Sequence, residues 1–392
     1  MEEGRRNVAI IGASWTIMRP FSAAVATYSS LYFMELGASP TDIGFLVMLS
    51  WVILAFSRLI GGHLTDTVGR KKILVPMTIL YGVSNLIYVV APSWIWLIPA
   101  QILTSIALMY QPAVESILAD SLPPERRGKG MSVVNTVSSA AGLVGPPMAT
   151  LMVSMYGIDR AMRYIYAMSA LSMIAGGLLR MLLKETLKER KKRSFWEYLR
   201  AAKLLKGSVG KLVLIQSAAS AVYQGIWPFL QVYSVKFLGI SAESWGWISS
   251  ITGFVGMGGM LLSGYLTDRI GRNKVMFLGY LSGAVMFLLF MISPKKSDLF
   301  VFLAMLAGNL VMSRPASFAL LADLTPLELR GRIIALRGLI AGNAMGIASQ
   351  ASGVIYEESP RGLMAGGAAV VAVASISALL LLPSGALEEE ST

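Results

Sequence analysis

Apolar stretches close to the roughly 20 residues needed to cross a bilayer recur along this 392-residue chain from end to end. That recurrence dictates the solvent. A segment lying in hydrocarbon must satisfy its backbone hydrogen bonds internally, so spans of this length are helices. Twelve are predicted, at 7–33, 41–62, 73–91, 94–119, 131–153, 162–184, 211–236, 244–266, 275–293, 298–322, 333–356 and 362–383. Composition agrees: 14% of the residues are charged and 55% hydrophobic, where a soluble domain carries roughly 25% charged. The first stretch is too long for the apolar core of a signal peptide, carries Arg19 and leads straight into further spans, so it is expected to stay as a span.

Several classes of chemistry fall away at once. There is no cysteine, which excludes thiol-based metal and redox sites, and the single His63 falls in a predicted loop with no chemical role expected. No cofactor and no metal are expected. Titratable groups inside the spans are too sparse for a membrane enzyme, and no Gly-rich loop ending in Lys-Ser/Thr is present to bind ATP.

The net charge of +12 could suggest nucleic acid, but its placement points to topology. With the N-terminus inside, 25 of the 34 Lys and Arg, Arg180 and Arg337 among them, fall in cytoplasmic loops or adjoining helix ends; six fall outside and three within spans. Both termini are then expected in the cytoplasm, in a multi-pass protein of the cytoplasmic membrane that binds no nucleic acid. The organisation expected is an N-terminal six-helix bundle over 1–184, a cytoplasmic linker over 185–210 and a C-terminal six-helix bundle over 211–392. The linker carries a Lys/Arg run and then Phe195, Trp196, Tyr198, Leu199, Leu204 and Leu205, read as a basic amphipathic helix on the inner membrane surface.

An internal repeat supports the two halves. Gly62, Leu64, Thr65, Asp66, Gly69, Arg70 and Lys72 recur as Gly264, Leu266, Thr267, Asp268, Gly271, Arg272 and Lys274. A second block, containing Pro112, Asp120, Glu125 and Arg127, recurs as Pro315, Asp323, Glu328 and Arg330 at nearly the same offset. Intramembrane prolines at Pro20, Pro112, Pro228 and Pro315 mark the first, fourth, seventh and tenth spans as helices able to bend.

The Gly62 to Lys72 block resembles the loop signature of the major facilitator superfamily, and its second copy stands at the matching place between the eighth and ninth spans. The chain is most similar to the drug:proton antiporter branch. The resemblance implies an all-α integral membrane fold of twelve helices in two six-helix bundles related by a pseudo-two-fold axis. It also implies a cytoplasmic gate built from Gly62, Asp66, Gly69, Arg70, Asp120 and Arg127, with Asp268, Gly271 and Arg272 in the second copy. The aspartates can pair with Arg70 and Arg272 or accept from backbone donors at a helix start. In the fifth span, Ala141, Gly145, Pro146, Ala149 and Thr150 look like a small-residue variant of the Gly-Pro signature of the family's exporters; close helix packing explains the same pattern.

By the same resemblance, spans one, four, seven and ten face a central pathway, and polar stripes on them supply the candidate substrate residues: Arg19, Gln111, Tyr223, Gln224, Trp227 and Arg314. An arginine inside a span costs roughly 2.5 to 3.5 kcal/mol on insertion scales, so Arg19 and Arg314 need either an anionic ligand or a buried pair with Glu115. Glu115, the carboxylate best placed inside a span, is the candidate carrier of the coupling proton. The expectation is a monomeric secondary transporter that exports an amphipathic solute by alternating access against a proton flux. An organic-anion transporter using Arg19 and Arg314 and a non-transporting receptor or scaffold are the alternatives.

Overall fold

The computed structural model describes residues 2–123, 127–187 and 205–384. The amphipathic helix predicted in the linker falls largely on 188–204, outside the described residues. Elsewhere the apolar stretches are helices: α1 (Glu2–Glu35), α2 (Pro40–Thr67), α3 (Arg70–Val90), α4 (Leu97–Ala107), α5 (Gln111–Asp120), α6 (Arg127–Gly142), α7 (Gly145–Arg180), α8 (Gly207–Val232), α9 (Ala242–Ile270), α10 (Arg272–Ile292), α11 (Asp298–Leu310), α12 (Ser313–Asp323), α13 (Leu327–Glu358) and α14 (Pro360–Leu381).

Twelve spans result among the described residues. By length and apolarity, eight helical stretches among the described residues could cross a membrane. One of them, Gly130–Arg180, holds two spans joined at Gly157, where φ is 74°. The predicted outer loop there shrinks to that one residue, because a glycine can take the left-handed turn with no steric cost. The helices α8, α9 and α13 supply the remaining three spans; they are long enough, but Gly, Ser and Gln dilute their apolarity.

Contacts divide the chain into two compact units, Met1–Ala38 with Leu49–Ser194 and Ser39–Met48 with Phe195–Thr392. In the first unit, α7 packs along both α1 and α3; in the second, α8 packs on α13 and α10 on α14. Small residues set these distances. A Cβ on Gly145 would stand 2.1 Å from the Pro20 carbonyl oxygen, so the Gly145-Pro146 segment is where α7 meets the backbone of α1. Ala149 and Thr150 beside it are fully buried, and Tyr28 donates to Thr150 Oγ1 at 3.2 Å. The first turns of α2, 39–48, pack with the second unit, where a Cβ on Gly44 would stand 2.7 Å from the Ser349 carbonyl oxygen.

The two spans that carry the repeated proline block are broken at mid-depth. In the fourth, one 3₁₀ turn at Leu108–Tyr110 separates α4 from α5, with Pro112 in the first turn of α5. In the tenth, Val311 and Met312 are extended between α11 and α12. Backbone freed in hydrocarbon needs partners. Met312 donates its N–H to Ser263 Oγ at 2.8 Å, and Ser282 Oγ donates to the Ala307 carbonyl at 2.6 Å. Pro20 and Pro228 lie within continuous helices.

Candidate functional site

The repeated loop signature is more helical than expected. Gly62 to Thr67 form the last turns of α2, so His63 is helical rather than in a loop, and the turn itself is Val68 and Gly69. Gly69 has φ 128° and Gly271 φ 98°, each directly before the next helix. Glu185 accepts from the Lys71 N–H at 3.0 Å at the start of α3, and the Ser384 carbonyl accepts from the Arg272 N–H at 2.9 Å at the start of α10. The motif aspartates do not fill those positions.

Nor do they hold the arginines. Arg70 pairs with Asp120 and also donates to the Ser116 carbonyl at 3.2 Å and to Thr186 Oγ1 at 2.7 Å. In the second unit, Arg272 pairs with Asp323. Each pair joins the loop signature to the second repeated block, so the expected pairing of Asp66 with Arg70 and of Asp268 with Arg272 is corrected to Asp120 and Asp323. Asp66 and Asp268 have no partner among the described residues. Arg127 reaches the Leu122 carbonyl at 3.4 Å, and nothing crowds Gly62.

Inside the first unit, α2 crosses the fourth span at Gly61, where a Cβ would stand 2.2 Å from the Met109 carbonyl oxygen. That crossing brings Arg58, the third arginine inside a span, to the start of α5: its Nε donates to Gln111 Oε1 at 2.8 Å. Glu115 stands one turn beyond Gln111 on the same helix face. Arg58 is also the cation whose charge acts on Glu115. Both side chains are exposed. The pairing of Glu115 expected with Arg19, which lies in the same unit, is therefore corrected. Arg19 lies beside Gly142 of α6, exposed and with no partner among the described residues, and Arg314 belongs to the second unit. Sequence separation hid the link with Arg58, since no local spacing connects positions 58 and 111.

Beneath this cluster, Arg180, expected at a cytoplasmic helix end, is instead fully buried. It donates to Ser14 Oγ at 3.1 Å and Thr78 Oγ1 at 2.7 Å and lies 5.1 Å over the Tyr110 ring. Those hydroxyls in turn donate to the Ile11 and Leu74 carbonyls at 2.9 and 2.7 Å. The cation is thus fed by helix carbonyls, and it holds the 3₁₀ turn that presents Gln111.

In the second unit, Tyr223 turns into its own bundle: its hydroxyl lies 3.6 Å from Met286 Sδ and its ring stacks 6.0 Å from Trp227. Trp227 is exposed and Gln224 half-buried. Arg314 is exposed at the second residue of α12. Across from it, Arg337 of α13 donates to Gln216 Oε1 at 3.1 Å, and Gln216 Nε2 donates to Ser317 Oγ at 3.0 Å. Arg337, too, was expected at a cytoplasmic helix end, and it lies ten residues into α13.

The chain as a whole has counterparts among known proteins. The profile of the Major Facilitator Superfamily matches residues 8–213 and again 212–391. A multi-drug resistance efflux pump PmrA homolog of Lactococcus lactis is 24% identical over 359 residues, which is 86% of this chain and 85% of the relative. The multi-drug resistance efflux pump PmrA of Streptococcus pneumoniae serotype 4 is 25% identical over 337 residues, 81% of this chain and 79% of the relative. Among solved structures, the peptide transporter POT superposes with a TM-score of 0.77 at 14% identity, covering 95% of this chain and 93% of that one.

Proposed function

Because the chain belongs to the Major Facilitator Superfamily and is a multi-pass membrane transporter rather than an enzyme, we propose that it exports amphipathic organic solutes by alternating access in exchange for protons. The observation that carries this reading is the cluster of Glu115, Gln111 and Arg58. Glu115 is an exposed carboxyl within a broken span, next to a cation on a different helix. A neighbouring guanidinium favours the ionised form of a carboxyl, and its withdrawal favours the protonated form. A change of conformation that moves α2 against α5 therefore loads or releases a proton at Glu115. The Arg70–Asp120 and Arg272–Asp323 pairs serve as matched clasps of the gate, with Asp66 and Asp268 as the alternative partners of the other conformation. The solute contacts proposed on the second unit are Trp227 and Gln224, with Tyr223 stacked on Trp227, and the one proposed on the first unit is Gln111. The relatives named as multidrug efflux pumps support export of drug-like compounds. The protein acts as a monomer in the cytoplasmic membrane with both termini inside, as the basic loops favour.

A second reading, transport of organic anions, draws on Arg19 and Arg314, both exposed and without an acidic partner among the described residues. Family membership supports flux over a purely receptor role. The test is reconstitution with ethidium, a permanent cation that cannot be trapped by pH. With the membrane potential clamped, an imposed pH gradient should drive ethidium uphill into the acidic compartment, and a protonophore should abolish the movement. Movement that ignores the gradient would contradict proton exchange.

A further inference from the structure

The tenth span restarts as α12 at Ser313, and Arg314 is its second residue. Aligned peptide dipoles place partial positive charge at a helix start, so an arginine there adds charge of the same sign. The chain brings a second arginine to the same place. Arg337 lies 4.6 Å over the ring of Phe318, and Phe318 is one turn along α12 from Arg314, on the same face. The two arginines are close enough that the charge of Arg314 acts on Arg337. Their depth matches as well. Arg314 is nine residues from the end of α12 at Asp323, and Arg337 is ten residues into α13, about 14 and 15 Å of helix from the same short connection.

No acid among the described residues of this unit answers them. Every carboxylate among the described residues of this unit lies in the first or last turn of a helix. Asp323 is taken by Arg272, Asp298 by Ser244 and Glu357 by the Thr41 N–H. One edge of Arg337 is fixed by Gln216, whose amide is oriented by Ser317, so the guanidinium is held in place rather than free to swing. Arg314 makes no side-chain bond to the described residues. A fixed fork beside a free one, at a depth where lipid cannot solvate either cheaply, is the arrangement that takes an oxyanion.

We propose that Arg314 and Arg337 together form an oxyanion-binding site within the second unit, which takes the carboxylate or phosphate group of an organic anion. The site deepens the organic-anion reading of Arg314 and stands apart from proton exchange at Glu115. Its ligand is either a solute or the headgroup of an anionic lipid.

The test uses the purified full-length chain in phosphatidylcholine nanodiscs, titrated calorimetrically with benzoate and phenyl phosphate, and with benzyl alcohol as the neutral control. The two anions should bind saturably. R314Q and R337Q should each weaken that binding at least about tenfold, the size expected for loss of one charge-assisted pair, and R337K should not restore it, because an ammonium lacks the fork. Benzyl alcohol should be indifferent to all three. Nanodiscs containing phosphatidylglycerol distinguish the sources: competition with benzoate assigns the site to a headgroup, and its absence assigns it to a solute. If R337Q fails to fold, R314Q, which breaks no bond among the described residues, carries the comparison. E115Q should leave anion binding unchanged, which separates this site from the proton carrier. Anion binding that is absent in the wild type, or equal in R314Q, would overturn the proposal.

Discussion

Arg58 on α2 donates its Nε–H to Gln111 Oε1 at 2.8 Å, one helical turn from Glu115. The bond ties a cation to the span that carries the proposed proton site, across a crossing whose closeness is set by Gly61. In the proposed cycle, Arg58 is what expels the proton. Arg58→Gln should therefore leave ethidium binding within about twofold while slowing gradient-driven transport by about tenfold or more, a barrier change of roughly 1.4 kcal/mol. Stopped-flow transport in proteoliposomes beside equilibrium binding makes the comparison.

The clasp pairs make a graded prediction. The Arg70 side chain keeps 12% of its area exposed and Asp120 40%, so the pair lies between buried and surface ion pairs. Asp120→Asn should cost about 1–3 kcal/mol of stability by leaving a largely buried cation without its counter-charge. Asp66→Asn, which removes no bond among the described residues, should stay within about 0.5 kcal/mol. If Asp66 is the partner in the other conformation, that variant should still shift spin-label distances across the cytoplasmic ends. Thermal unfolding and double electron–electron resonance on the same two variants report both effects.

The first turn of α2 offers a pH handle. Glu357 accepts the Thr41 N–H at 3.0 Å, and that bond holds its carboxyl below the usual carboxylate range. A depressed native value means the stabilisation is fully present above the ordinary carboxylate range, about 4.3, and is lost as pH falls through the lower native value. The wild type should therefore have the higher Tm at pH 7, and its advantage over Glu357→Gln should vanish in acid. The difference will be small because the group is exposed. Parallel melting curves from pH 7 down to pH 3 would reveal it.

Much of the fold was legible in the sequence because hydrocarbon thickness imposes length and the repeat imposes order. The spans and the two halves follow from those constraints, while the turns at Gly69 and Gly271 rest on the positive φ that glycine takes there. Charges near helix ends were harder to read. Arg180 and Arg337 each lie close enough to a cytoplasmic end that a boundary error of a few residues turns a buried group into a topological one. α13 begins at Leu327, six residues before the predicted start at 333, so Arg337 lies ten residues into the helix rather than four. The break at Val311 and Met312 carries no signal of its own; Pro315 marks it only approximately, and the serines that satisfy it, Ser263 and Ser282, come from other helices. Partner choice was the least legible, since Arg58 reaches Gln111 and Arg70 reaches Asp120 only through helix crossings.

The central claim is that Glu115 carries the exchanged proton, and the Glu115→Gln variant tests it most directly, because glutamine keeps the shape and polarity of the side chain but cannot release a proton. In proteoliposomes with the membrane potential clamped, ethidium counterflow should persist at near the wild-type rate, since exchange of solute for solute needs no proton. Uphill movement into the acidic compartment under an imposed pH gradient should disappear. Counterflow without uphill transport is the predicted result, and uphill transport retained in Glu115→Gln would contradict the account.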